Sequence, residues 1–280
     1  QAIERDLLVP FRYYAIFDPT DYDQVRVANG RYVMEDLERE LSHESRADII
    51  LSNYINMAGE RTLAFCVSIK HAEYMAKCFS EHGINAVAVH SGTMTSEWTM
   101  NRSDAVESLQ NGTLQVVFAV DIFNEGIDIP RVNQILLLRP TQSAIIFVQQ
   151  LGRGLRKAED KHYLTVIDFI GNYANNFLVP IALYGDTSYN KDSLRKLMVS
   201  GSSLIPGTST INFDQISRER IFKSIDNANL QQKKDLINDY KLLKYRIGRI
   251  PMMVDFIEQN GRDPQLFVNY SRSYFNFVSS

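Results

Sequence analysis

Gln149, Arg153 and Arg156 are spaced so that, at about 100° per helical residue, they fall within an arc of roughly 60°. Ala144, Val148, Leu151 and Leu155 form an apolar stripe on nearly the opposite side. A helix divided in this way buries one face against a sheet and offers two guanidiniums to an anion. Such forks are planar, always charged and matched to phosphate or carboxylate geometry. Gly152 and Gly154 each oppose helix by about 1 kcal/mol relative to Ala. Two in one turn mark a helix end, or a place where another backbone or a ligand comes close. A solvated basic helix end is the competing reading, because Lys and Arg favour helix C-termini. This stretch alone does not choose between them.

The elements around it narrow the choice. Thr62–Val67, Asn85–His90, Leu114–Val120, Val132–Leu138 and Tyr163–Phe169 are apolar runs, the pattern of strands buried on both faces. Between them fall helical patterns. Ile69–His82 places Ile69, Ala72, Met75, Ala76 and Phe79 on one face and stops at Gly83. A second helix, capped by Ser96 or Ser103, carries Ala105, Val106 and Leu109 and ends at Asn111-Gly112. The glutamine-arginine helix follows Pro140-Thr141. This alternation predicts a parallel sheet covered on both faces. Ligands of such sheets bind at the carboxyl ends of the strands. Polar residues collect there: Ser68 and Lys70, His90-Ser91-Gly92, Asp121 through Asp128, then Arg139 and Thr141.

The remaining sequence bounds the organisation. The 280 residues are 45% hydrophobic and 22% charged, the composition of a soluble globular protein, with a formal net charge of -3. Any nucleic-acid site is therefore a local patch. Cys66 and Cys78 lie in apolar surroundings without metal-ligand spacing and read as thiols of a reducing compartment. No run is long enough to span a membrane, and no signal peptide is present. The chain opens at Gln1 without an initiator Met and ends on the aromatic-rich Tyr270-Ser-Arg-Ser-Tyr-Phe-Asn-Phe-Val stretch. Both ends predict a piece of something longer. Residues 1–60 read as a linker and helical shoulder, with helices near 33–42 and 46–58. Residues 61–175 read as the α/β domain, 176–216 as an extended connection and 217–280 as a helical extension. In that extension Arg218, Arg220, Lys223, Lys233, Lys234, Lys241, Lys244, Arg246 and Arg249 outnumber the acids. They form a solvated face or a nucleic-acid contact.

Four segments together resemble a known family. Thr62-Leu-Ala-Phe-Cys-Val, Val87-Ala-Val-His-Ser-Gly, Val117-Phe-Ala-Val-Asp-Ile-Phe-Asn-Glu-Gly-Ile-Asp-Ile-Pro and Gln149-Gln-Leu-Gly-Arg-Gly-Leu-Arg occur in one order. They are similar to motifs IV, IVa, V and VI of the second RecA-like domain of superfamily 2 DEAD/DEAH-type helicases and translocases. The likeness covers about residues 60–170. Asn124-Glu125-Gly126 resembles the bacterial restriction-motor and repair-helicase side rather than DEAD-box RNA helicases. Asp168-Phe-Ile-Gly-Asn and the tail resemble a bacterial branch in which a domain of unknown function follows the helicase core. The fold implied is α/β: a parallel-sheet RecA-like domain of the P-loop NTPase type lacking its own P-loop, with a helical N-terminal shoulder and a mostly helical C-terminal extension.

The resemblance implies roles position by position. Arg153 and Arg156 would be arginine fingers on a transferring γ-phosphate, and Gln149 would contact that phosphate or its attacking water. Glu125, Gly126 and Asp128 would lie at the nucleotide, with Gly126 admitting its close approach and Asp128 meeting the ribose or a finger arginine. Lys70, Ser91, Gly92, Val120, Asp121 and Thr141 would touch the nucleic-acid backbone. Val120 stands where many relatives carry Thr, without the hydroxyl. No Gly-x-x-x-x-Gly-Lys-Ser/Thr and no Asp-Glu pair after an apolar strand occurs. In the family these belong to a first RecA-like domain, which would be the partner that holds ATP with Mg²⁺. The implied protein is a cytoplasmic, ATP-dependent DNA or RNA helicase or translocase, of which this chain is an inactive piece by itself. A non-enzymatic nucleic-acid-binding module, using the same sheet edge and the basic tail, is the alternative.

Overall fold

Apolar runs buried on both faces assemble into one seven-stranded sheet. The computed structural model describes residues 8–28, 31–57, 59–92, 96–120, 129–141, 143–186, 188–205, 208–228, 233–259 and 263–279. Strands β1 (Phe11–Phe17), β4 (Thr62–Phe65), β5 (Ala86–Val89), β6 (Val116–Ala119), β7 (Gln134–Leu137), β8 (Leu164–Ile170) and β9 (Thr210–Phe213) lie in the order β5-β6-β4-β7-β8-β1-β9. Every neighbouring pair is parallel, so all carboxyl ends share one edge. A single register row crosses the sheet there: Val89, Ala119, Phe65, Leu137, Asp168, Ala15 and Phe213. A short antiparallel pair, β2 (Val27–Ala28) and β3 (Arg31–Tyr32), stands apart from this sheet.

The helices of the sheet unit follow their periodicity. Helix α1 spans Met34–Leu41 and α2 spans Glu44–Asn56, near their expected limits. Helix α3 (Ile69–Glu81) starts where Ser68 accepts from the His71 N–H, and it buries Ala72, Met75, Ala76 and Phe79. Helix α4 (Arg102–Asn111) is capped by Asn101, which accepts from the Asp104 N–H, rather than by Ser96 or Ser103. Asn is among the best N-caps, and Asn101 stands immediately before the first helical residue. Gly112 ends α4 in the left-handed region at φ 86°. The rings of Tyr54, Phe79 and Phe118 meet in series at 5.2 and 5.0 Å, joining α2 and α3 to β6. Helix α5 runs Ala144–Gly152. Cys66 and Cys78 are free thiols.

Two expected boundaries are corrected. Residues 1–60 are no mere shoulder, because β1 pairs with β8 along its full length and with β9 on its other side. Residues 176–216 are no extended connection. They hold helix α6 (Leu178–Tyr184), helix α7 (Lys191–Ser200) and the edge strand β9. The backbone hydrogen bonds that recruit β1 and β9 join residues about 150 and 200 positions apart, for which local periodicity carries no signal. Asp214 consolidates the end of β9. It accepts from the Phe17 N–H, the Ser217 N–H and the Ser217 hydroxyl, and so begins helix α8 (Gln215–Asn227).

The chain divides into two units: residues 1–140, 149–173 and 205–218 form the sheet unit, and 141–148, 174–204 and 219–280 form a helical one. The helical unit continues through α9 (Lys233–Ile247), α10 (Met253–Glu258), α11 (Gln265–Ser271) and α12 (Tyr274–Ser279). Its aromatic core brings Phe267 to 4.6 Å from Phe256 and 4.8 Å from Phe277. Arg249 is held bidentately by Asp255 at 2.6 and 2.7 Å, so this tail cation is already partnered. Among the described residues no helix is long and apolar enough to cross a membrane.

Phe79 is fully buried between the rings of Tyr54 and Phe118. Phe79→Ala is expected to lower unfolding free energy by about 3–5 kcal/mol, read as a reduced urea midpoint with an unchanged slope.

Candidate functional site

The carboxyl edge is built over a buried ion pair. Arg46 on α2 is 3% exposed and Asp18, directly after β1, is 0% exposed. Arg46 Nε donates to Asp18 Oδ2 at 3.0 Å, and its other nitrogens donate to Leu41 O at 3.4 Å and Leu138 O at 3.1 Å. The His71 ring lies 3.4 Å from the same guanidinium. Thr20 donates to Asp18 Oδ1 through its N–H at 2.9 Å and its hydroxyl at 2.6 Å. One side chain thereby fixes the ends of β1, α1 and β7 and the start of α3. Burial opposes the charge on Arg46 most strongly, but Asp18, Tyr22 and Cys66 together offset it and its pKa is raised. Burial, then the neighbouring guanidinium, hold His71 well below its ordinary value, so the ring is neutral.

Above this network the expected backbone-contact residues fare unequally. Lys70 points outward with its side chain 81% exposed, 3.6 Å from Glu38. Ser91 and Gly92 are exposed, and the Gly92 N–H donates to His90 Nδ1 at 3.1 Å. His90 is itself enclosed, with Nε2 3.6 Å from Glu73. Val120 is half-buried against the core. Thr141, also expected at the nucleic-acid backbone, is 8% exposed. Asp121, Glu125, Gly126 and Asp128 lie outside the described residues.

The arginine-bearing turn lies at the opposite, amino edge of the sheet. Helix α5 ends at Gly152, so Gln149, Arg153 and Arg156 do not share one helical face as expected. Successive i→i−3 bonds, Arg153 N to Gln150 O, Gly154 N to Leu151 O and Leu155 N to Gly152 O, tighten the chain out of the helix. Arg156 then pairs in extended form with Leu8, and the Val9 N–H donates to Leu155 O at 2.9 Å. Gly154 explains the turn. A Cβ there would stand 2.4 Å from Leu164 and 3.1 Å from Ile135, at the amino ends of β8 and β7. Gly152 faces open space. Gln149 and Arg156 are exposed and Arg153 is half-buried. Lys161 Nζ donates to Arg156 O and to Pro130 O, each at 2.8 Å.

Residues 45–158 match the helicase conserved C-terminal domain. The match covers 114 of the 280 residues. A putative ATP-dependent helicase, IRC3, of Saccharomyces cerevisiae is 30% identical over 175 residues, covering 61% of this chain and 25% of that protein. The UvrABC system protein B of Chlamydia muridarum is 29% identical over 148 residues, covering 51% and 20%. The fragment structure of a putative HsdR subunit of a type I restriction enzyme from Vibrio vulnificus is 20% identical over 63% of this chain and 35% of that one, with a TM-score of 0.47. The chain thus spans a quarter or less of the length of these two curated relatives. Residues 236–280 match a domain of unknown function, DUF8090. A helicase C-terminal domain followed by such a segment is the order that the sequence motifs implied.

The sheet unit's framework includes residues that the motifs do not contain. Arg46 was visible as a cation at helical spacing from buried Ile50 and Tyr54, and His71 as a ring on the face of Met75 and Phe79. Asp168 was visible as the one acid inside a fully buried strand. Lys161 gave no local sign. Asp168 accepts from the Tyr13 hydroxyl at 2.7 Å, while its Oδ1 has no hydrogen-bond partner among the described residues. Burial, with Asp18 as a further cause against the opposing Tyr13 bond, raises its pKa from 3.8 to about 7.

A raised folded pKa means that the folded chain keeps a proton the unfolded chain has released, so stability falls as pH rises towards about 7. Asp168→Asn retains an acceptor for Tyr13 and does not ionise. The variant is expected to lose this part of the pH dependence and to be more stable than the parent sequence at about pH 8, in urea titrations at a series of pH values.

Proposed function

We propose that this helicase C-terminal domain is the second half of a bacterial, cytoplasmic superfamily 2 motor that couples ATP hydrolysis to movement along DNA or RNA. The reading rests on the family match together with one observation: Gln149 near the end of α5 is followed by Arg153 and Arg156 in a turn pinned by backbone bonds at the amino edge, with Gln149 and Arg156 exposed. Planar guanidiniums suit the equatorial oxygens of a transferring phosphoryl group, where charge accumulates. Arg153 and Arg156 stabilise that charge, and Gln149 orients the γ-phosphate or its water. Glu125, Gly126 and Asp128 complete the nucleotide side. Among the described residues no cluster of acids, His or Cys can hold a metal ion, and Mg²⁺ with the phosphate cradle is assigned to a first RecA-like half elsewhere in the parent protein. Mg²⁺ there would neutralise developing charge on the β- and γ-oxygens.

Lys70, Ser91, Gly92, Val120 and Asp121 serve the other ligand, gripping the nucleic-acid backbone without reading its sequence. Val120 stands at the carboxyl edge and Ile129 precedes β7 at the amino edge. The motif between them therefore links the two chemistries along the chain.

In the full-length parent, Arg153→Ala and Arg156→Ala are each expected to lower nucleic-acid-stimulated ATPase by roughly 10³-fold, with an unchanged circular dichroism spectrum. The assay uses single-stranded and duplex DNA and RNA as stimulants. Undiminished turnover by either variant would overturn the assignment. Tight nucleic-acid binding by the parent with no ATP hydrolysis under any stimulant would instead favour a binding module.

A further inference from the structure

At the amino edge is a cavity of about 450 Å³ lined by Arg12, Tyr14, Asn133, Lys161, His162 and Tyr163, among others. Arg12 stacks over the Tyr163 ring at 3.7 Å. Lys161 alone of these donates to two carbonyls from separate segments: Pro130 O, at the end of the Gly-Ile-Asp-Ile-Pro motif, and Arg156 O, each at 2.8 Å. Both acceptors are backbone groups, so the ammonium is no ordinary ion-pair partner. It replaces water as the donor for two carbonyls that belong to two different motifs. Asp160, at φ 63°, turns the chain immediately before it, and the Lys161 N–H donates to Ala158 O, which closes the loop back towards Arg156.

We infer that Lys161 is a positioning residue: by clamping the Arg156 and Pro130 carbonyls together, it sets where the Arg156 guanidinium is presented. The inference rests on the motor reading of Arg156. The Arg156 side chain is exposed, and its backbone is fixed on one side by the Leu8 bridge. Lys161 supplies the fixed point on the other side. A finger displaced by about 1 Å forfeits on the order of 10²-fold in rate, so a clamp on its carbonyl acts on kcat rather than on ATP affinity. Burial lowers the Lys161 pKa from 10.5 to about 8, so the clamp is charged below that pH and loses its charge above it. The other titratable groups lining the cavity are Arg12, Tyr14, Asp160, His162 and Tyr163.

The test measures nucleic-acid-stimulated ATPase of the full-length parent from pH 6.5 to 9.5 for the unmodified protein, Lys161→Met, Lys161→Arg and Arg156→Ala. Lys161→Met is expected to lower kcat roughly 10- to 100-fold with KM for ATP within about threefold. Lys161→Arg, which keeps a permanent donor, is expected to restore most of the rate. It should also remove the fall in kcat expected of the unmodified protein on passing about pH 8. Unchanged kcat in Lys161→Met, or an alkaline fall that persists in Lys161→Arg, would overturn the clamp while the loss in Arg156→Ala upholds the motor reading. Full activity of Arg156→Ala overturns that reading and the clamp with it. If Lys161→Met fails to fold by circular dichroism, the comparison of the unmodified protein with Lys161→Arg decides.

Discussion

Arg46 carries a full charge with almost no access to water, and the carboxyl edge of the sheet is arranged around keeping it there. A buried cation is tolerable only when its donors are met, and this one meets Asp18, Leu41 O and Leu138 O. Those partners come from the end of β1, the end of α1 and the end of β7. The interaction therefore acts less as a source of net stability than as a specification of which loops converge. Removing either charge would strand the other in the interior, typically at about 3–5 kcal/mol. His71, held neutral beside the guanidinium, fills the remaining side without adding a second charge.

The parallel sheet then sorts the chemistry by edge. Strands that all run one way collect Lys70 at the start of α3 and Ser91 and Gly92 after β5 at the carboxyl edge, and return the Arg153–Arg156 turn to the amino edge. The residues proposed for the nucleic-acid backbone and those proposed for the nucleotide are thereby held on opposite edges of a sheet of Val, Ala, Leu and Phe. The segment from Val120 to Ile129 is the covalent connection between the two. Gly154 contributes by being absent of side chain, since the turn packs directly on the first residue of β8. The two glycines thus differ in kind: one serves the interior and the other faces open space.

Legibility in the sequence followed locality. The central strands were evident because each is a short apolar run, and α3 because its buried face repeats at helical spacing. The motif residues were evident because their types and order are rare in combination. The structure altered their grouping. The helix stops at Gly152, which separates Arg156 from the helical face that periodicity had given it. Asn101, a polar residue in an ordinary loop, proved to be the cap that two serines were expected to supply.

The amino-acid sequence by itself determined the element types, the covalent order of the motifs and the residue types proposed for the two sites. Those properties live in side-chain identity and in spacings of a few residues. Only the tertiary structure decided that β1 and β9 complete the sheet, that Arg46 and Asp18 meet in its interior, and that Lys161 reaches the carbonyls of Arg156 and Pro130. Strand recruitment of this kind uses backbone hydrogen bonds that nearly every residue can form, so composition does not announce it. A buried charge likewise reveals its purpose only through partners, and here Asp18 lies 28 positions away from Arg46 and Leu138 92 positions away.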